Sequence, residues 1–269
     1  MSVRIADITE ALEAWAPTST AESYDNSGLQ LGRPDRSVEA VIVALDLTPA
    51  VIEEAESRGA GLIITHHPLF FAPIKSISPS TLVGSMALAL AEKGIAHYAI
   101  HTNLDAARGG VSFALARQLG LREVQFLQVT QDDPEAGLGA IGMLEKPLYG
   151  DAFLKYVTDA LGLSSLRHVT DADATVEKVA VCGGSGSSFL PVALEAGADA
   201  YVTADVKYHQ FFDALDPDGH SAIAYLDVGH YESEAVTEEL LLDFLRGRFP
   251  DVVWVRTENS TSPVRSFVP

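Results

Sequence analysis

The chain has 269 residues, 47% hydrophobic and 20% charged, the make-up of an ordinary globular protein long enough for one large or two modest domains. Its 18 Lys+Arg against 37 Asp+Glu give a net charge of −19, a field that repels phosphate backbones and excludes nucleic acid as the expected partner. No apolar run is long enough to span a bilayer and the N-terminus shows no basic-then-apolar leader, so no membrane partner and a cytoplasmic location are expected.

In chain order, residues 8–16 predict a helix stopped by Pro17, followed by the turn-type loop Tyr24-Asp25-Asn26-Ser27-Gly28. A β-rich run over 40–45 leads to a helix over 49–58, with Thr48 as N-cap, Pro49 in the first turn and Gly59 at its end. A strand over 61–65, a helix over 80–93 closed by Gly94, a strand over 95–100 and a helix over 113–119 follow. Strands and helices thus alternate, and two of the strands are continuously apolar rather than alternating, the pattern of a parallel sheet covered on both faces.

The stretch 122–138 breaks this rhythm with the polar loop Gln131-Asp132-Asp133-Pro134-Glu135, which places a domain boundary near residue 124. Beyond it come a strand over 138–144, a helix over 151–161, a strand over 176–182, a helix over 191–196 and a short strand over 201–203. A strand over 222–227 and a long helix over 232–248 return to the first style. The expected architecture is therefore two α/β domains. The first is discontinuous, 1–123 plus 222–269, with a mostly parallel sheet and the metal-binding residues; the second, 124–221, is inserted.

Three segments share one design, an apolar strand with ligand-type side chains just past its C-terminal end. They are Leu62-Ile63-Ile64-Thr65-His66-His67-Pro68, Tyr98-Ala99-Ile100-His101-Thr102-Asn103-Leu104-Asp105 and Tyr225-Leu226-Asp227-Val228-Gly229-His230-Tyr231-Glu232-Ser233-Glu234. Ligands of open α/β sheets bind at that edge. His230 and Glu234, four apart at a helix start, share a face. Past a strand end the adjacent His66 and His67 can reach two ions side by side, and Asp105 and Glu234 can supply bridging oxygens. Mixed imidazole and carboxylate donors suit Zn, Mn, Fe, Co or Ni rather than Ca or Mg.

These residues closely resemble the NIF-three-like family, often labelled GTP cyclohydrolase 1 type 2 homolog. The resemblance rests on His66-His67-Pro68-Leu69-Phe70-Phe71, His101-Thr102-Asn103-Leu104-Asp105-Ala106-Ala107 and Gly229-His230-Tyr231-Glu232-Ser233-Glu234. It extends over nearly the whole chain through Asp25-Asn26-Ser27-Gly28-Leu29, the strand end Ala44-Leu45-Asp46, and Thr203-Ala204-Asp205-Val206-Lys207-Tyr208-His209, where Ala204 stands in place of the family's usual glycine. It implies a NIF-three-like fold of the short form, two divalent transition-metal ions per subunit held by His66, His67, Asp105, His230 and Glu234, and a ring-shaped homohexamer. The family label implies hydrolysis of a nucleotide-like or cyclic amide substrate, as in opening a purine ring.

Other residues have two readings each. His101 is a proton donor beside the metals or a partner that orients a ligand. Asn26 and Asp46, with Asp25, line the substrate pocket or make turns. Lys207 and His209 bind an anionic part of the substrate or only solvate a strand end. Gly183-Gly184-Ser185-Gly186-Ser187-Ser188, between a strand and a helix, is a backbone anion cradle or a plain tight turn; it is neither a P-loop nor a full dinucleotide fingerprint, and the tight turn is the preferred reading. Cys182, the only cysteine, reads as a buried, inert thiol, and residues 259–269 show no recognisable chemistry. The competing function is non-enzymatic, a metal-handling or regulatory protein; a structural role for the metals is a third reading.

Overall fold

A computed structural model describes residues 2–130 and 133–265. The chain divides into two compact units, Met1–Leu104 with Thr237–Pro269, and Asp105–Val236.

The first unit is built on a five-stranded sheet in the order Val253–Arg256, Ala40–Ala44, Leu62–Thr65, Ala96–Ala99, Gly28–Leu31. The first four strands run parallel and the last pairs antiparallel at the edge. The three central strands are buried at every position, which is why Ala40–Ala44 and residues 62–64 read as unbroken apolar runs. Helix Pro49–Ser57 starts as its sequence demands, the Thr48 hydroxyl accepting from the Val51 amide at 3.3 Å with Pro49 in the first turn. Helix Leu82–Lys93 ends at Gly94, whose φ of 64° only glycine adopts without strain. Ile42, Val51, Ile52, Ile63 and Leu90 form the core of this unit.

The second unit carries a six-stranded mixed sheet in the order Arg122–Thr130, Asp133–Tyr149, Thr175–Val181, Ala200–Thr203, Ala224–Asp227, Arg167–Val169. Strand alternation sends its side chains into two cores. Val179, Val181, Val202 and Leu226 join one with the helices Val111–Gln118 and Gly150–Leu161; Ala180, Tyr201 and Tyr225 join the other with helix Leu190–Glu195.

Several sequence expectations are corrected. The cuts fall at 104/105 and 236/237, not at 123/124 and 221/222, because strand Ala224–Asp227 pairs with Ala200–Thr203 and Arg167–Val169 in the second sheet. The stretch 122–138 is no boundary loop but most of a long antiparallel hairpin, Arg122–Thr130 with Asp133–Tyr149; Gln131 and Asp132 lie outside the described residues. The expected helix over 232–248 is two helices, His230–Glu234 and Val236–Arg248. Asp105 lies in a short helix, Thr102–Ala106. Among the described residues no helix is long and apolar enough to cross a membrane.

Candidate metal centre

In the first unit the central strands end level, Ala44 beside Thr65 and Thr65 beside Ala99. The next residues are locked in step, with the amides of His66 and His67 both donating to the Leu45 carbonyl at 3.1 Å and the Ile100 amide to the Thr65 carbonyl at 2.9 Å. Asp46, His66, His67 and His101 therefore leave the sheet at one edge. His66, His67 and His101 each offer a ligand atom within 4.8 Å of the others, a group able to hold a metal ion. Their ring centroids are 5.0 to 5.4 Å apart.

Each of these rings is held through Nδ1. That of His66 contacts the Ile100 carbonyl at 2.7 Å, that of His67 Asp46 Oδ1 at 2.7 Å, and that of His101 Asp25 Oδ1 at 2.7 Å. A carbonyl or carboxylate oxygen only accepts, so Nδ1 carries a proton, and in the neutral form of the ring it is Nε2 that presents the lone pair. This is the arrangement in which imidazole binds metal.

The acceptors are themselves fixed. Asp46 Oδ2 accepts from the Thr261 hydroxyl at 2.8 Å. Burial would raise the Asp25 carboxyl, but bonds from His101, Thr102 and Ser27 outweigh it and hold the group well below the usual carboxylate range. Behind the sheet edge, the Thr65 hydroxyl donates to the His67 carbonyl at 2.6 Å and lies 2.7 Å from His97 Nε2. With one hydroxyl proton so committed, His97 Nε2 is the donor to Thr65. Burial pushes the His97 pKa down to about 3, so this ring stays neutral.

In the second unit His230 and Glu234 meet across one helical turn, Nε2 to Oε2 at 3.0 Å. His230 Nδ1 lies 2.8 Å from Asp205 Oδ2, so the fourth histidine is held like the other three. Asp205 is one of only two described non-glycine residues at positive φ, 54°. Gly184 sits against the pair: a Cβ there would lie 2.1 Å from Glu234 Oε1 and 3.3 Å from His230 Cε1. The Gly184 amide also donates to the Ser233 hydroxyl at 2.9 Å. The glycine-rich turn thus makes room for a carboxylate, a function its sequence did not disclose. Cys182 is buried, as expected. Burial first, then the charges of Asp105 and Glu234, push its thiol up to about 12; it stays protonated, and both carboxylates lie in its neighbourhood.

The remaining expected site residues behave differently. Asn26 Nδ2 donates to the Phe70 carbonyl at 2.7 Å and to Gln30 Oε1 at 3.2 Å, and the Asp46 carboxylate is engaged by His67 and Thr261. Both are braces in this structure. Lys207 and His209 are exposed, and the His209 ring packs on Tyr208 and Phe212. Asp25, expected to line the pocket or make a turn, holds His101 instead, and the parts played by Asp205, Thr261 and Gly184 did not show in the sequence. For Asp25 and Asp205 the signal was present as an acidic residue in a turn segment, but pairing with a distant histidine is a tertiary property.

Fold and side chains define a class: an α/β protein whose strand ends carry histidine and glutamate groups able to hold a metal ion. Residues 3–263 match the family Duf34/NIF3 (NGG1p interacting factor 3), and the chain belongs to that family. It is 37% identical over 235 residues to a Streptomyces coelicolor protein named GTP cyclohydrolase 1 type 2 homolog, covering 86% of this chain and 81% of that one. A Nostoc protein of the same name is 35% identical over 268 residues, 98% and 99% of the two chains. Among solved structures it resembles the Staphylococcus aureus protein SA1388, with a TM-score of 0.90 and 26% identity over 98% of this chain and 99% of that one. It also resembles reduced HcgD from Methanocaldococcus jannaschii, with a TM-score of 0.78 and 27% identity over 96% and 99%.

Proposed function

We propose that the chain is a dinuclear metal-dependent hydrolase of the GTP cyclohydrolase type 2-like kind, with His66, His67, Asp105, His230 and Glu234 as ligands of two divalent transition-metal ions. The supporting observation is that all four histidines, His101 included, are held through Nδ1 by an oxygen acceptor at 2.7 or 2.8 Å. In the neutral form of each ring that contact leaves Nε2 as the nitrogen that can ligate a metal. Imidazole and carboxylate donors fit Zn, Mn, Fe, Co or Ni.

Such ions, when bound, supply Lewis acidity and lower the pKa of a water. The chain's residues do the rest. Asp25 holds His101 with Nε2 as its proton-accepting atom, so that this nitrogen takes a proton from the attacking water and returns it to the leaving nitrogen. Asp46 and Asp205 orient His67 and His230. Lys207 and His209 serve the anionic part of a nucleotide-like substrate, and Asn26 shapes the pocket by bracing Phe70. The reading carries a homohexamer with it, on the family resemblance alone, which sedimentation of the purified protein would test.

One observation favours the alternative, a metal-handling protein without catalysis. His101 stands close enough to His66 and His67 to serve as a third imidazole ligand and so to close a position that a catalytic centre keeps open. The His101→Gln variant separates the two. If it keeps its metal and loses metal-dependent GTP ring opening shown by the wild type, His101 moves protons and the protein is a hydrolase. If it loses metal, and the loaded wild type opens no ring, the metal-handling reading replaces it.

A further inference from the structure

The first unit shows large aromatic side chains to solvent at a point where the fold has gone to some length to place them. Tyr24 is 63% exposed and Phe71 53% exposed. Their rings stand 6.2 Å apart at 57°, and Phe71 stands 6.1 Å from His101 at 72°. The two aromatic rings touch each other, yet each keeps more than half of its surface open, so mutual cover does not explain them.

The loop that carries Tyr24 also fixes the His101 ring and the backbone next to Phe71. Asp25 holds His101 at 2.7 Å. Phe70, next to Phe71, is gripped at both backbone groups: its carbonyl accepts from Asn26 Nδ2 at 2.7 Å and its amide donates to Gln30 Oε1 at 3.2 Å. Gln30 Nε2 returns a bond to the Asn26 carbonyl at 2.6 Å. One short segment, 24–30, therefore sets the positions of an imidazole and an aromatic corner together. Exposed aromatic rings on a braced backbone beside a polar centre suit stacking on a flat ligand, since the backbone that carries Phe71 is already in place when the ligand arrives.

We propose that Tyr24 and Phe71 form a ring-recognition wall that takes the planar heteroaromatic part of a substrate and lays it beside His101. The wall rests on the hydrolase reading for the reaction that follows, but its own claim is binding of a flat nitrogen heterocycle through the π-face. It narrows the substrate class: an aliphatic cyclic amide offers no such face.

The test uses guanosine as probe, which has the ring without phosphate. Guanosine is titrated by NMR into the full-length protein, metal-stripped and metal-loaded, for the wild type, Tyr24→Ala, Phe71→Ala and Phe71→Tyr, with ribose as the ring-less control. The wall predicts upfield shifts of the guanine protons in the wild type, and weakening on the order of tenfold in each alanine variant. It also predicts near wild-type binding in Phe71→Tyr, with metal content and circular dichroism unchanged throughout. Equal guanosine binding in wild type and alanine variants, or no binding by the wild type in either form, overturns it. So does a changed oligomeric state in Phe71→Ala with guanosine binding intact, which assigns the rings to contact between copies. Because binding is read without turnover, an inactive protein that binds guanosine through these rings refutes the hydrolase and leaves the wall. An active one with unaltered KM in Phe71→Ala does the reverse.

Discussion

At the scale of single residues, the site is made by what stands behind the ligand-type side chains. A histidine fixed through Nδ1 has its tautomer and ring plane chosen before any ion arrives, and mutating the acceptor typically costs ten- to a hundredfold in metal affinity. Asp46→Asn and Asp205→Asn should therefore each weaken metal binding by about that factor while the protein stays folded, which competition with a chromogenic chelator measures. Gly184→Ala should act differently. At φ +61°, with its new Cβ 2.1 Å from Glu234 Oε1, it adds about 1–2 kcal/mol of backbone strain and displaces the carboxylate. Gly197→Ala, at φ +69° with nothing within 4 Å, carries the strain alone. Metal content should fall in the first and hold in the second, while urea unfolding shows both destabilised. His97 gives a pH prediction. Its pKa is lowered from 6.5 to about 3 in the folded protein, so the unfolded chain binds the extra proton between those values. The stability this neutral ring contributes is present above pH 6.5 and is lost as pH falls through that window, with a slope of up to about 1.4 kcal/mol per pH unit. Denaturant unfolding at several pH values should show that slope, reduced in His97→Gln.

At the scale of elements, level strand ends do most of the positioning. Registers such as Ala44 beside Thr65 and Thr65 beside Ala99 put residues distant in sequence at one edge. Two of the central strands were legible because burial on both faces leaves an unbroken apolar signature, and the helices because Thr48, Pro49 and Gly94 punctuate them. The hairpin Arg122–Thr130 with Asp133–Tyr149 was not, because it carries Pro134 and glycines that ordinarily mark loops. There the glycines serve close approach: a Cβ on Gly137 would lie 2.4 Å from the Gln128 carbonyl oxygen and one on Gly142 2.8 Å from that of Arg122. Strand Ala224–Asp227 was legible as a strand, but its sheet was not, since only the pairing with Ala200–Thr203 and Arg167–Val169 decides it. The core of the second unit is testable through Phe153, 1% exposed. Phe153→Ala should cost about 3–5 kcal/mol in a urea titration, and a loss below about 1 kcal/mol would show that helix Gly150–Leu161 does not pack as described.

At the scale of the whole molecule, a chain of net charge −19 concentrates imidazole nitrogens and a few carboxylates at strand ends in each of its two units. The histidines and Glu234 were legible from sequence because His-His, His101 and His230 with Glu234 recur after strands and match one family. The residues that hold them were not, since Asp25 to His101 and Asp205 to His230 span 76 and 25 positions. The central claim is that these residues bind two transition-metal ions. The most direct measurement is elemental analysis of metal per chain in the dialysed wild type and in His66→Ala, before and after reloading with Zn or Mn. Two bound ions give about two equivalents in the wild type and a clear loss in the variant. Metal near zero in both proteins after reloading would contradict that claim.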